Sequence, residues 1–311
     1  MKRKVSKIGP ATLMVSLPSK WVKEYGIKKG DELDIEELSN SLVIKTRKGL
    51  VIETKTINIT GLEEMVIWRC LDAIYKSGTE EIKIIFDYEK LKNFQDRKNI
   101  TTLDYIRIIT DRLIGMEIIS QGKNSCIIRE ISKIKEEEFD IVLRRIFMTI
   151  EGMFNDSLEA IKKHDKELLN NLSKNIDSPL NKLINYCLRY LNKGDYNIKK
   201  TTTLYYALNE LEEIGDSIPF ILKTTSKMNK PLKKEIIDLL NDLNNLFNYM
   251  HKTFYTFNIE NFSEIYKIRK DIKNKIENYK NLSEEEIKIL SSIKITTNSI
   301  IEIISTKLIT S

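Results

Sequence analysis

Residues 3–33 read RKVSKIGPATLMVSLPSKWVKEYGIKKGDEL, and this stretch decides the fold of the N-terminal part of the chain. Apolar residues alternate with other residues in three short runs, at residues 13–17, 32–36 and 42–44. Alternation with a period of two predicts short β-strands. Pro18-Ser19 opens a short helix over residues 20–25, and Gly26 is placed to end it in a left-handed conformation.

The positive charge of the chain is concentrated in the same region. Residues 1–50 contain eleven Lys and Arg and six Asp and Glu, which gives +5 of the total net charge of +6. Residues 1–23 contain six cations and no acidic residue. This composition is typical of a surface that meets a polyanion, although a solvated basic face has the same composition.

The N-terminal segment needs a stabilising partner. Some fifty residues with few apolar side chains bury a small core. Only three cysteines (Cys70, Cys126 and Cys187) and two histidines are present, far apart and without a CxxC pair, which argues against a disulfide framework or a zinc site. Oligomerisation is the remaining way to stabilise it.

Glycine residues are distributed unevenly along the chain. Eight of the eleven glycines precede residue 123. Residues 51–133 alternate helical and strand patterns, which predicts a small α/β unit without a phosphate-binding glycine motif. Residues 134–311 follow helical spacing and predict six long helices in two groups of three, packed as an antiparallel bundle. Ser178-Pro179 marks either a helix start or a kink within a longer second helix.

No window reaches the ~18 consecutive apolar residues of a membrane span. The basic start, MKRK, is not followed by an apolar run, so no secretory signal is recognised. We therefore expect a cytoplasmic protein that does not insert into membranes.

The N-terminal residues resemble the AbrB/SpoVT/MazE-type DNA-binding domain. The resemblance is carried by a basic strand at 3–9, the run VSLPSKWV at 15–22 and GIKKGDEL at 26–33. It implies a swapped-hairpin β-barrel in residues 1–50, formed by a homodimer that binds DNA. The cations expected to face the DNA backbone are Arg3, Lys4, Lys7, Lys20 and Lys23. Arg3 is also a candidate for base contact, because guanidinium can bond guanine bidentately.

The helical part is similar to the PhoU family of phosphate-uptake regulators, which are built from two three-helix repeats. The main match is LEEIGDSI at 211–218, which is similar to the family's ERIGD signature, and DSPLNKL at 177–183 is a weaker one. An AbrB-like head joined to a PhoU-like body is a pattern of archaeal phosphate regulators. The second repeat departs from the signature, since residues 294–298 read KITTN and contain no carboxylate.

Members of the PhoU family can hold metal clusters, which points to a divalent metal or iron ion in the bundle. Glu212 and Asp216 lie one helical turn apart, so both can reach one cation. Asp177 is a candidate third ligand. The alternative is an ordinary charged helix face. No residue pattern for a di-iron enzyme or a nucleophilic catalyst accompanies them, so we predict no enzymatic activity.

The sequence thus predicts a homodimeric transcriptional regulator whose basic head binds DNA and whose bundle senses phosphate status through a metal or a protein partner. The alternative is a signalling adaptor that negatively regulates a phosphate transporter, with the head serving dimerisation. An antitoxin role is disfavoured, because antitoxins with such heads are short.

Overall fold

The computed structural model describes residues 1–38, 41–46, 53–87, 90–92, 99–132, 136–193 and 198–310. Its contacts divide the chain into two compact units, Met1–Glu53 and Thr54–Ser311. The described part is mostly helical, with a small N-terminal β region and a C-terminal helical bundle. The domain boundaries predicted at residues 51 and 134 fall outside the described residues.

The first unit contains two antiparallel hairpins separated by a short helix. Its elements are β1 (Ser6–Ile8), β2 (Thr12–Met14), α1 (Ser19–Glu24), β3 (Asp34–Leu38) and β4 (Ser41–Lys45). Strand β1 pairs with β2, and β3 pairs with β4. The turn between β1 and β2 takes only residues 9–11, and Gly9 adopts a φ of 77° there. The predicted helix and the strands predicted at 32–36 and 42–44 overlap α1, β3 and β4, whereas the strand predicted at 13–17 ends at Met14.

Two glycines and an aspartate explain the GIKKGD run after α1. Gly26 and Gly30 have φ angles of 59° and 94°, in the left-handed region that favours glycine. The Asp31 carboxylate accepts a hydrogen bond from the backbone N–H of Lys28 at 2.6 Å. The run therefore ends the helix and turns the chain into β3 through backbone geometry, not through side-chain packing.

The second unit begins with an α/β layer. Its sheet has the order β5-β6-β10-β9, and only β5 and β6 are parallel. The elements are β5 (Thr54–Asn58), α2 (Glu64–Lys76), β6 (Glu81–Ile85), α3 (Thr102–Thr110), β9 (Met116–Gln121) and β10 (Ser125–Glu130), with a separate hairpin β7 (Lys90–Lys92) and β8 (Asn99–Thr101). Apolar residues of α2 and α3 form one buried core with alternate residues of the sheet strands.

Seven helices make up residues 136–193 and 198–310. They are α4 (Glu136–Lys163), α5 (Lys166–Asn175), α6 (Ser178–Lys193), α7 (Ile198–Ser226), α8 (Lys234–Tyr255), α9 (Ile259–Asn278) and α10 (Glu284–Thr310). They share one buried apolar core. Among the described residues, no helix has the length and apolarity that crossing a bilayer requires.

The six long helices of the prediction are present as α4 and α6 to α10, but a short helix that was not predicted follows α4. His164 adopts a φ of 49° and ends α4, and the Asp165 carboxylate then accepts hydrogen bonds from the backbone N–H groups of Glu167 and Leu168. This N-cap starts α5. Ser178 begins α6 with a proline in its first turn, so the helix-start interpretation of that pair is the one that holds.

Helix α7 lies at the centre of the bundle and passes close to α6. A Cβ atom added at Gly215 would lie 2.2 Å from Cδ2 of Leu180, which is fully buried. Farther along α7, the Thr296 hydroxyl of α10 donates to Ser217 Oγ at 2.9 Å. Helix α7 continues through Pro219 without interruption. Glycine in the LEEIGDSI run is thus required by the closeness of two helices.

Replacing Gly215 with Ala will destabilise the protein by about 1–2 kcal/mol. Overpacking costs about 1–3 kcal/mol, and the higher helix propensity of Ala returns about 1 kcal/mol at most. Urea unfolding measures the change. Leu180→Ala should cost less in the Gly215→Ala background than alone, because the added methyl group occupies the space that Leu180 leaves. Additive effects of the two substitutions would show that they do not share this contact.

A buried ion pair joins the α/β layer to the bundle. Arg189 of α6 is 0% exposed, donates from Nη1 to the backbone carbonyl of Tyr75 at 2.7 Å, and pairs through Nη2 with Glu130 at 3.1 Å. Lys193 also pairs with Glu130, at 2.6 Å. A buried charge with these partners holds α6 against α2 and β10.

Candidate functional site

The cations predicted to meet DNA lie on the surface of the first unit. Arg3, Lys4 and Lys7 precede or belong to β1, and Lys20 and Lys23 belong to α1. All five are exposed, and their side chains form no ion pair or hydrogen bond with other residues that the structure describes. Their charges are therefore available to an external anion, and a DNA backbone contact for them stays a prediction.

The same unit leaves its apolar residues uncovered. None of the described side chains in Met1–Glu53 is buried. Leu13 is 68% exposed and Ile35 is 63% exposed. The other large apolar side chains exposed in this unit are Met1, Val5, Ile8, Met14, Val15 and Leu42. Trp21 is only partly buried and packs against Tyr25 with the ring centroids 5.7 Å apart.

The predicted metal ligands lie in the second unit. Glu212 and Asp216 are one turn apart on α7, and Asp177 precedes the start of α6. Partial desolvation raises the pKa of the Asp216 carboxyl to about 6, and the charges of Glu212 and Asp177 add to this effect. Arg69 acts in the opposite direction and lowers the pKa. The fold thus brings the three carboxylates within electrostatic range of one another and of one guanidinium.

These carboxylates do not form a metal cage. In the part of the chain that the structure describes, no group of three or more His, Cys, Asp or Glu side chains is arranged to hold a metal ion. Carboxylate oxygens suit hard cations, but two or three of them beside Arg69 provide few ligands and an opposing charge. The ligand set fits a metal incompletely, and metal binding here stays a prediction.

Glu212 and Asp216 instead line a cavity of about 240 Å³ between the α/β layer and the bundle. Helix α2 and the segment around the end of α3 supply Arg69, Arg112 and an apolar patch, whereas α6 and α7 supply the carboxylates and amides. The side chains that line the cavity include Met65, Trp68, Arg69, Asp72, Arg112, Lys182, Asn185, Glu212 and Asp216. The basic wall, formed by α2 and the end of α3, carries Arg69 and Arg112, and its Asp72 is paired with Lys76. The opposite, acidic wall carries Glu212 and Asp216 of α7 and also includes Lys182 of α6.

Both histidines lie in the helical bundle. His251 contacts Glu151, with Nδ1 and Oε1 2.7 Å apart, and stacks on Phe147. His164 ends α4. Burial raises the pKa of the Cys126 thiol to about 11 and that of Cys187 to about 12, so both are unreactive buried groups.

Comparison with known proteins finds a family only for the first unit. Residues 7–50 match the family model described as antidote-toxin recognition MazE, bacterial antitoxin. The segment therefore carries an AbrB/MazE-type domain, as its sequence predicts. No curated protein and no solved structure matches the chain. The match covers a small part of the chain, and the resemblance of the helical part to the PhoU family stays a prediction.

Proposed function

We propose that the chain is a DNA-binding transcriptional regulator linked to phosphate uptake. Its basic AbrB/MazE-type head binds DNA as a homodimer, and its PhoU-like bundle of two three-helix repeats senses phosphate status through a metal or a protein partner. The observation that carries the proposal is the match at residues 7–50 together with five exposed cations that have no partner among the described residues, in a unit whose described side chains are all at least partly exposed.

The uncovered apolar side chains support the homodimer. Burial of apolar surface yields about 25 cal/mol per Å², and a unit that buries none of its described side chains gains little from folding alone. Pairing of two such units into an interleaved barrel would cover Leu13, Ile35 and their neighbours. It would also double the five cations on one assembly and so strengthen its attraction for a polyanion.

The proposed role of the cations follows from the chemistry of nucleic acids. Contacts to phosphates provide affinity and register, whereas contacts to base edges provide sequence preference. Lys4, Lys7, Lys20 and Lys23 suit the first role, and Arg3 suits both. The chain acts as a cytoplasmic regulator in this proposal and catalyses no reaction.

Deletion of residues 1–50 tests this function. The proposed regulator loses its DNA occupancy in genome-wide mapping and its response to high and low phosphate. A signalling adaptor that acts on a phosphate transporter would instead keep its partner and its phosphate phenotype after the deletion. Retention of both, with no DNA bound by the intact protein, would contradict the regulator.

The family description favours a second candidate, an antitoxin-type regulator. Such a protein recognises a toxin partner. Co-purification of a small toxin with the chain, and growth arrest when the chain is removed, would favour this candidate over phosphate regulation.

A metal at Glu212 and Asp216 is tested separately. If these carboxylates hold an ion, the Glu212→Ala/Asp216→Ala variant will contain less bound metal than the parent protein when both are purified without chelator. Elemental analysis provides the measurement, and Glu264→Ala/Asp271→Ala, on the exposed face of α9, is the control. An equal metal content in all three proteins would mean that Glu212 and Asp216 do not bind metal and are only charged residues on the cavity wall.

A further inference from the structure

The charged side chains of the cavity between the α/β layer and the bundle are largely unpaired. Among the residues that the structure describes, Arg69, Lys182, Glu212 and Asp216 form no hydrogen bond or ion pair through their side chains. The charge of Arg69 still lowers the pKa of Asp216. The two walls therefore face each other, although these side chains form no ion pair. Arg69 and Asp216 are exposed and Glu212 and Lys182 are half-buried, so a bound molecule can reach all four groups. A bound group of opposite charge forms charge-assisted hydrogen bonds with such side chains.

The walls of the cavity are held in place before anything binds. The guanidinium of Arg112 lies 4.5 Å from the centre of the Trp68 ring, which fixes both side chains. Asp72 of α2 pairs with Lys76 at 2.7 Å and accepts a hydrogen bond from Asn185 of α6 at 2.6 Å. This last contact links the two sides of the cavity, so a ligand meets a largely formed site.

We infer that this cavity binds a small organic zwitterion. Its ammonium group faces Glu212 and Asp216, its carboxylate faces Arg69 and Arg112, and its hydrocarbon part lies on Trp68. An inorganic anion would satisfy only the basic wall, and a metal ion only the acidic wall. The cavity is smaller than the roughly 300–1,000 Å³ of sites for drug-sized molecules, which favours a molecule of metabolite size.

Such a ligand would bridge two layers of the second unit. It would contact α2 and the end of α3 on one side and α7 on the other, and so stabilise their present arrangement. The cavity is formed entirely by residues of Thr54–Ser311. Ligand binding in the cavity therefore does not depend on DNA binding by the N-terminal unit. An experiment can contradict one of these two proposals without contradicting the other.

Tryptophan fluorescence provides the test. The chain has two tryptophans, so a Trp21→Phe variant leaves Trp68, on the cavity wall, as the only reporter. The probes are ω-amino acids from glycine to 6-aminohexanoate, with hexanoate and hexylamine as analogues that carry one charge. At least one zwitterion should change the fluorescence saturably and bind about tenfold or more tightly than either analogue, because each analogue lacks one charge-assisted contact.

Substitutions identify the two walls. Glu212→Gln/Asp216→Asn should reduce zwitterion binding to the level of hexanoate. Arg69→Gln should weaken zwitterion binding towards the level of hexylamine, since Arg112 remains to contact the carboxylate. Glu264→Gln, at an exposed position of α9 that does not line the cavity, should leave binding unchanged. The analogue series uses an intact cavity, so it remains informative if a variant fails to fold.

Three results would overturn the inference. The first is the absence of a saturable change with every zwitterion. The second is equal binding of zwitterions and analogues, which would indicate an apolar site. The third is a response to Mg²⁺ or Mn²⁺ with none to zwitterions, which would make the acidic wall a metal site.

Discussion

The protein will lose ~10³- to 10⁵-fold of its affinity for duplex DNA when the salt concentration rises from about 50 to about 200 mM. The expected loss follows from five exposed cations per chain, doubled in a dimer, that neutralise about six to ten phosphates and release their counterions. Fluorescence anisotropy with a labelled duplex measures the dissociation constant at each salt concentration. A flat salt response would contradict binding through these side chains.

Arg189→Ala will destabilise the second unit by about 3–5 kcal/mol, because it leaves Glu130 buried with less compensating charge. Glu130 has a side-chain exposure of only 5%, and the substitution also removes the hydrogen bond to the backbone carbonyl of Tyr75. Urea unfolding followed by circular dichroism measures the loss. Arg144→Ala is the control, since this exposed arginine only stacks on Tyr255 and should cost less than about 1 kcal/mol.

A double variant separates loss of charge compensation from loss of packing at this position. Arg189→Met/Glu130→Gln removes both charges and should be more stable than Arg189→Met alone, since no full negative charge is then left buried. A double variant whose loss of stability equals the sum of the losses of its two single substitutions would show that the two side chains do not stabilise each other.

The sequence was informative where local geometry decides the structure. Gly26 was expected to end the first helix in a left-handed conformation, and it adopts a φ of 59°. Period-two alternation and helical spacing placed most strands and helices, because amphipathic patterns are set by the face that a residue buries. Strand β5 was missed, since its residues Thr54, Lys55 and Thr56 are polar and exposed, and pairing with β6 defines it as a strand.

Helix α5 was missed for a different reason. The prediction followed long apolar stripes, whereas α5 is short and is started by the side chain of Asp165. The signal was present in the sequence, as an aspartate before a helix-forming run with Glu167 in its first turn. The family resemblance predicted that Glu212 and Asp216 bind metal, and it gave no indication of the arginines that face them.

Distant contacts explain what the sequence could not provide. Arg69 and Arg112 come to face Glu212 and Asp216 only because the α/β layer packs on the bundle. The sequence around Arg189 does not indicate that this side chain is fully buried, because its partners lie in α2 and β10. Neither the cavity nor this ion pair follows from periodicity or from residue spacing.

The most direct test of the account neutralises the five cations together. Full-length protein with Arg3→Gln, Lys4→Gln, Lys7→Gln, Lys20→Gln and Lys23→Gln should bind duplex DNA at least about 100-fold more weakly at low salt. The matched control changes five exposed lysines of the second unit to Gln: Lys227, Lys230, Lys234, Lys270 and Lys280. The account predicts near-normal binding by this control and loss of binding by the N-terminal variant. Equal affinity of the two variants for DNA would contradict it.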